Sequence, residues 1–144
     1  MIRHAGLVAR RVGGTWRGVL IEGASGAGKS DLALRALAAG FRLVADDRVV
    51  TFVSEGRLFG RAPDPLKGLT EVRGFGIVPE PALPFAEIAL VVRCVDDPSG
   101  VERLPPPRTE RLLGLDLPAF ELWPLEPAAP AKIARMLEHL GVAP

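Results

Sequence analysis

Residues 23–30 read Gly-Ala-Ser-Gly-Ala-Gly-Lys-Ser and satisfy the pattern G-x-x-x-x-G-K-[ST] at every fixed position. No other feature constrains the fold as strongly, because such a segment works only between a strand and a helix. The flanks agree. Gly18-Val19-Leu20-Ile21 is a short apolar run suited to a buried strand. Ser30 to Ala39 sets Leu32, Leu34 and Leu37 among alanines and predicts a helix, closed by Gly40 as a left-handed cap. Gly23, Gly26 and Gly28 let the backbone curl until successive N–H groups point inward at phosphate oxygens. The candidate nucleotide-binding segment is therefore Gly23, Ala24, Ser25, Gly26, Ala27, Gly28, Lys29 and Ser30. Lys29 would place a compact cation at the β/γ-phosphates, and the Ser30 hydroxyl would ligate Mg²⁺. The helix dipole favours an anion at the same point. A glycine loop that binds nothing would need neither the Lys-Ser pair nor this context.

The chain is 144 residues long, which predicts a single domain over residues 1–144 with a real core. Eighteen basic and seventeen acidic side chains leave a net charge of +1, so nothing electrostatic calls for nucleic acid or an anionic membrane as partner. Met1-Ile2-Arg3-His4-Ala5-Gly6 has no apolar signal region, and no stretch approaches the ~20 apolar residues of a membrane helix. The lone Cys94 lies in the apolar run Ile88–Val95, which predicts a buried thiol, excludes an intrachain disulfide and fits a reducing cytoplasm.

Leu7–Arg10 and Thr15–Leu20 flank Val12-Gly13-Gly14 and predict a hairpin leading into the glycine-rich loop. Phe41–Ala45 reads as a strand that delivers Asp46-Asp47 at its C-terminal end. Val49–Ser54 and Arg57–Gly60 predict a second hairpin, and Pro63-Asp64-Pro65 breaks the chain. Leu69–Val78 reads as a loop. Glu87–Val95 is the most apolar strand candidate, while Arg111–Gly114 and Ala119–Leu122 read as short strands. Ala131–Leu140 predicts a helix with Ile133, Met136, Leu137 and Leu140 on one face and Gly141 after it. That face suits the domain's own core, with a subunit contact as the other reading. The expected class is α/β: one P-loop kinase-like domain with a strand-rich mixed sheet, a phosphate-loop helix and a C-terminal helix.

A phosphate loop does not say what becomes of the phosphate. Asp46 and Asp47 follow a strand that should end near the loop, the usual place for a carboxylate that orients Mg²⁺ or accepts a proton from an attacking hydroxyl. A solvated Asp-Asp turn would look the same, and the residues alone do not choose between the two. Glu71-Val72-Arg73-Gly74-Phe75-Gly76 offers Glu71 as a further Mg²⁺ ligand and Arg73 as a cation for charge on a transferring phosphoryl group. A surface Arg-Gly-Phe-Gly turn would share that spacing. His4 could shuttle a proton or orient a carboxylate, although an N-terminal histidine is more often simply exposed.

Taken in order, Gly-Ala-Ser-Gly-Ala-Gly-Lys-Ser-Asp, Leu-Val-Ala-Asp-Asp-Arg-Val and Glu-Val-Arg-Gly-Phe-Gly-Ile-Val resemble the catalytic domain of HPr kinase/phosphorylase. The resemblance covers residues 1–80 well and the remainder loosely. It implies a short form without the family's N-terminal domain, binding ATP and Mg²⁺ and phosphorylating a serine of HPr or a related phosphocarrier. Carried over residue by residue, it makes Asp47 the general base with Asp46 beside it. Glu71 becomes a second Mg²⁺ ligand within the signature segment Thr70–Pro79, and His4 the histidine that precedes the loop. Pro79–Phe85 lacks the family's arginine-bearing glycine loop, and Leu125–Pro130 replaces its Pro-Gly-Arg-Asn segment. The resemblance therefore implies phosphorylation more than the reverse reaction, and it leaves a homo-oligomer open. Two rival readings use the same loop: a nucleotide sensor without catalysis, and a small-molecule kinase, for which no lid segment is evident.

Overall fold

The glycine-rich loop lies where its flanks place it, in a computed structural model that describes residues 1–140. The strands are β1 (Ile2–His4), β2 (Gly6–Val12), β3 (Thr15–Glu22), β4 (Arg42–Ala45), β5 (Arg48–Ser54), β6 (Arg57–Arg61), β7 (Leu69–Val72), β8 (Gly76–Pro79), β9 (Ala86–Cys94), β10 (Thr109–Leu112) and β11 (Leu115–Leu122). The helices are α1 (Lys29–Ala38), which follows the loop, and α2 (Ala129–His139). Short 3₁₀ turns occupy Asp64–Leu66 and Pro98–Gly100. Both expected hairpins form, β2 with β3 and β5 with β6. Gly40 closes α1 at φ 94°. Gly141 lies outside the described residues.

The nine-stranded sheet runs β1-β5-β6-β9-β3-β2-β4, with β11 also paired to β9 and β10 to β11. At its centre β3, β9 and β11 are parallel. Parallel strands are covered on both faces, which is why β9 reads as a nearly continuous apolar run. The register slips between Gly18–Ile88 and Val19–Leu90, leaving an extra residue in β9. Such a bulge bends the sheet and shifts the alternation of side chains, so Ile88 and Val91 face one core while Leu90 and Val92 face the other.

Two cores result. Val8, Val19, Ile21, Leu90 and Val92 pack against Leu32, Ala33 and Ala36 of α1 and against Ile133 and Leu137 of α2. Met136 and Leu140 border this core, so the apolar face of α2 is covered from within the chain. Leu7, Leu20, Val49, Leu58, Ile88 and Leu112 fill the inside of the curled sheet. The architecture is mixed α/β, a strand-rich curled sheet with two helices.

Three expectations are corrected. Leu69–Val78 is not a loop but the hairpin β7–β8, a separate two-stranded sheet in which Thr70 faces Val78 and Glu71 faces Ile77. Its tight turn uses Gly74 at φ 87° and a bond from Phe75 N–H to the Val72 carbonyl. Glycines that break an apolar pattern in sequence here turn the chain between two strands. Gly114 belongs to the turn Leu113-Gly114, and β11 is twice the expected length, running through Pro118. The edge strand β1 was not expected. It pairs with β5, and the Met1 carbonyl accepts bonds from both the N–H and the hydroxyl of Thr51.

Candidate functional site

The glycine-rich loop is held from below and from the side. Gly23 sits against Cys94 at the end of β9, leaving only 3.0 Å between a hypothetical Cβ and the Cys94 carbonyl oxygen. Gly28 is the N-cap of α1 at φ 102°, a backbone state that side chains rarely adopt. Gly28 brings no side chain to the first turn of α1, so the helix's leading N–H groups face the loop without an internal cap. Lys29 folds back, its Nζ donating to the Gly23 carbonyl at 2.7 Å.

A cleft of about 480 Å³ opens beside this loop. Its walls include Ser25, Gly26, Gly28, Lys29 and Ser30 on one side and Asp47, Glu71 and Arg73 on the other. Residues that lie in three separate sequence segments thus meet in one space. The smaller hollows beside Arg108, of about 20 and 170 Å³, contain none of them.

Asp47 enters the cleft from a strained turn. Strand β4 ends at Ala45, the Arg48 N–H returns to the Asp46 carbonyl at 2.7 Å, and Asp47 between them has φ 68°. A non-glycine residue in that region is held there by its surroundings, and such strain gathers at functional sites. One restraint is the bond from Ala5 N–H to the Asp47 carbonyl, 3.1 Å. Asp47 is exposed to the cleft, while its neighbour turns away. Asp46 Oδ2 accepts from the Thr70 hydroxyl at 3.2 Å and from the Glu71 N–H at 2.9 Å. It fastens β7 to the end of β4, and so sets where Glu71 stands relative to Asp47.

His4 is exposed at the end of β1, opposite Arg48 in register, and does not line the cleft. Its link to Asp47 runs through the backbone of the adjacent Ala5. Arg73 lines the cleft from the mouth of the β7–β8 turn. Among the described residues, no group of three or more His, Cys, Asp or Glu side chains could hold a metal unaided. Ser30, Asp47 and Glu71 nevertheless offer hard oxygen donors, and Mg²⁺ commonly takes only one or two protein oxygens alongside phosphates and water.

Sequence reasoning gave no site role to three residues in or beside the cleft. Leu34 and Leu125 line it as apolar residues, and Arg35 reaches across from α1 to the segment holding Leu125. Only the Asp31–Arg35 pair, four residues apart on a helix, left a local signal.

Known proteins share both the sequence and the shape. The family described as HPr Serine kinase C-terminal domain matches residues 4–83, which include the loop, both aspartates and the β7–β8 hairpin. The HPr kinase/phosphorylase of Clostridium novyi is 40% identical over 99 residues, covering 69% of this chain and 32% of that protein. That of Lactobacillus acidophilus is 36% identical over 132 residues, 84% of this chain and 39% of the relative. The chain thus spans well under half of these curated relatives. The solved Hpr(Ser) kinase/phosphatase of Coxiella burnetii superposes with a TM-score of 0.80 at 26% identity, over 96% of this chain and 89% of that one. With more than half of its residues matched to one domain family, and the loop, Asp47, Glu71 and Arg73 inside the match, the chain belongs to the HPr serine kinase C-terminal domain family.

Proposed function

We propose that this chain is an ATP- and Mg²⁺-dependent kinase that phosphorylates a serine of HPr or a related phosphocarrier. The observation that carries the reading is Asp47, held at positive φ in the same cleft as Lys29 and Ser30. The loop N–H groups and the Lys29 ammonium would bind and orient the phosphates. Ser30 and Glu71 would hold Mg²⁺, which when bound neutralises charge on the phosphate oxygens. Asp47 would accept the proton as the serine Oγ forms its bond to the γ-phosphorus and the bond to the β-bridging oxygen breaks. Arg73 would neutralise charge on the moving phosphoryl group from the β7–β8 turn. Asp46 would act by positioning Glu71 through its two bonds to β7. The acceptor is inferred from the names that the relatives carry.

Purified protein is incubated with γ-labelled ATP, Mg²⁺ and the phosphocarrier of its own organism, beside a carrier whose acceptor serine is replaced. Label on the native carrier alone supports the reading, and excess inorganic phosphate then tests reversal. Asp47→Asn should lower transfer by about 10³-fold or more while leaving ATP affinity within about twofold. An Asn variant that turns over at the native rate removes Asp47 as the base. ATP binding without any label points to a sensor instead.

A further inference from the structure

The segment 123–126 follows β11 and rests on the glycine-rich loop. Because β3, β9 and β11 are parallel, the chain leaves β11 at the same end of the sheet at which β3 delivers the loop. Ligands of α/β sheets lie at that carboxyl end. The segment sits so close that a Cβ on Gly28 would lie 3.2 Å from Pro124 Cγ and 3.3 Å from Leu125 Cδ2.

The Arg35 side chain grips the backbone of this segment. The Arg35 guanidinium donates to the Glu126 carbonyl at 3.2 Å and also to the Pro124 carbonyl, while its Nε pairs with Asp31 Oδ2 at 3.0 Å. A planar fork that grips two carbonyls on either side of one residue fixes that residue's direction. The residue between them is Leu125. Pro124 is buried, yet Leu125 stands 57% exposed in the cleft. Glu126 pairs in turn with Lys132 of α2, so the segment is tied at both sides. Leu34, 36% exposed, faces the same cleft. The remaining walls are glycine backbone and charged or hydroxyl side chains apart from Val72. The cleft therefore has a polar region and two exposed leucines, of which Leu125 is held in place by the Arg35 fork.

We propose that Leu125 and Leu34 form the platform for the base of the bound nucleotide, and that Arg35 is the positioning residue that sets Leu125. The inference rests on the nucleotide reading above and deepens it. A nucleoside triphosphate is a polyanion at one end and a flat, weakly polar ring at the other, and this cleft provides a partner for each. The proton-accepting Asp47 claims the acceptor hydroxyl, so the base must lie elsewhere along the cleft.

Binding of ATP and of inorganic tripolyphosphate to the full chain, each with Mg²⁺, separates the two ends of the ligand. Leu125→Ala should raise the Kd for ATP about five- to tenfold and leave that for tripolyphosphate within about twofold. Leu125→Met should restore ATP affinity, since it returns the apolar volume. Arg35→Lys should follow Leu125→Ala, because an ammonium cannot grip both carbonyls. Equal weakening of both ligands, or unchanged ATP affinity with a raised KM for the carrier, overturns the platform. A native chain that binds tripolyphosphate as tightly as ATP overturns the platform alone. A native chain that binds neither overturns the phosphate reading and the platform with it.

Discussion

The two walls of the cleft are built in opposite ways. The glycine-rich loop grows out of the parallel centre of the sheet, with Ile21 and Leu32 at 0% exposure on either side of it and Cys94 beneath Gly23. The β7–β8 hairpin is a two-stranded sheet of its own, with Phe75 81% and Ile77 70% exposed. The first wall inherits its position from a core. The second takes its position at the cleft from the paired contacts of Thr70 and Glu71 with Asp46. An isolated two-stranded hairpin is marginal in water, so such local bonds weigh more there than they would at a strand in a core. Under the proposed function, a loop that holds phosphates and an arm that admits a protein substrate would have different needs, and the two constructions would suit them.

The contrast can be broken most directly with thiols. Burial pushes the Cys94 thiol up to about 11, although Lys29 nearby pulls the other way. Only the thiolate attacks, so at pH 8 Cys94 should react at least about a hundredfold more slowly than an exposed cysteine. Phe75→Cys places a second thiol at the hairpin turn and makes the molecule its own control. Native protein of that variant should show one fast and one slow equivalent with a chromogenic disulfide reagent. Two fast equivalents would mean that the floor of the loop opens, and two slow ones that the arm is covered. Either result would erase the distinction between the walls.

Next in size is Asp46→Ala. It removes the acceptor of both bonds to β7 and leaves the Glu71 N–H and the buried Thr70 hydroxyl without their partner. Leaving buried groups unpaired costs about 1–3 kcal/mol. Because the arm is a small local unit, the loss should fall on its own opening, read as faster hydrogen exchange in residues 69–79 with little change around the loop. If Glu71 helps hold Mg²⁺, the apparent Mg²⁺ requirement of phosphotransfer should rise about tenfold. Exchange that quickens equally at both walls would show that the arm is part of the same cooperative unit as the core.

How much of this was legible follows the same division. The glycine-rich loop carries its own local fold, so strand, loop and helix could be read from adjacent residues, and the Asp46-Asp47 turn from the strand before it. The hairpin could not, because Gly74 and Gly76 interrupt the apolar alternation that marks strands, and its pairing across Val72–Gly76 is a tertiary outcome. The two aspartates look alike in sequence and part only in the fold: Asp47, at φ 68°, lines the cleft, and Asp46 accepts two bonds from β7. Strand β1 has three residues, stabilised by Thr51 far along the chain. Leu125 lies far in sequence from the loop it walls, and nothing near it in the chain announces that neighbour. The bulge in β9 is equally silent, since an apolar run fits either phase.

The smallest expected effect lies on the loop's side of the comparison, at Glu22, the last residue of β3. It is buried, receives the Arg3 guanidinium at 2.6 and 2.8 Å through Oε2, and among the described residues its Oε1 has no hydrogen-bond donor. Burial raises its pKa above the usual carboxylate range, Arg3 lowers it in part, and the neighbouring Glu110, itself paired with Arg93, raises it again. The sign follows from proton counts. Below about pH 4.5 the group is protonated whether folded or unfolded and contributes no slope. As pH rises past that point the unfolded chain releases its proton first, the folded chain holds more, and stability falls until the folded group ionises as well. Glu22→Gln cannot titrate, and it leaves Arg3 without its anion, an offset that does not vary with pH over this range. Denaturant midpoints measured between pH 4 and 8 should therefore show the native chain losing ground to the variant as pH rises. A difference that stays flat would mean that Arg3 fully offsets the burial. A native chain that gains with pH would mean that the ion pair dominates, and that the root of the loop is held by charge rather than by its core.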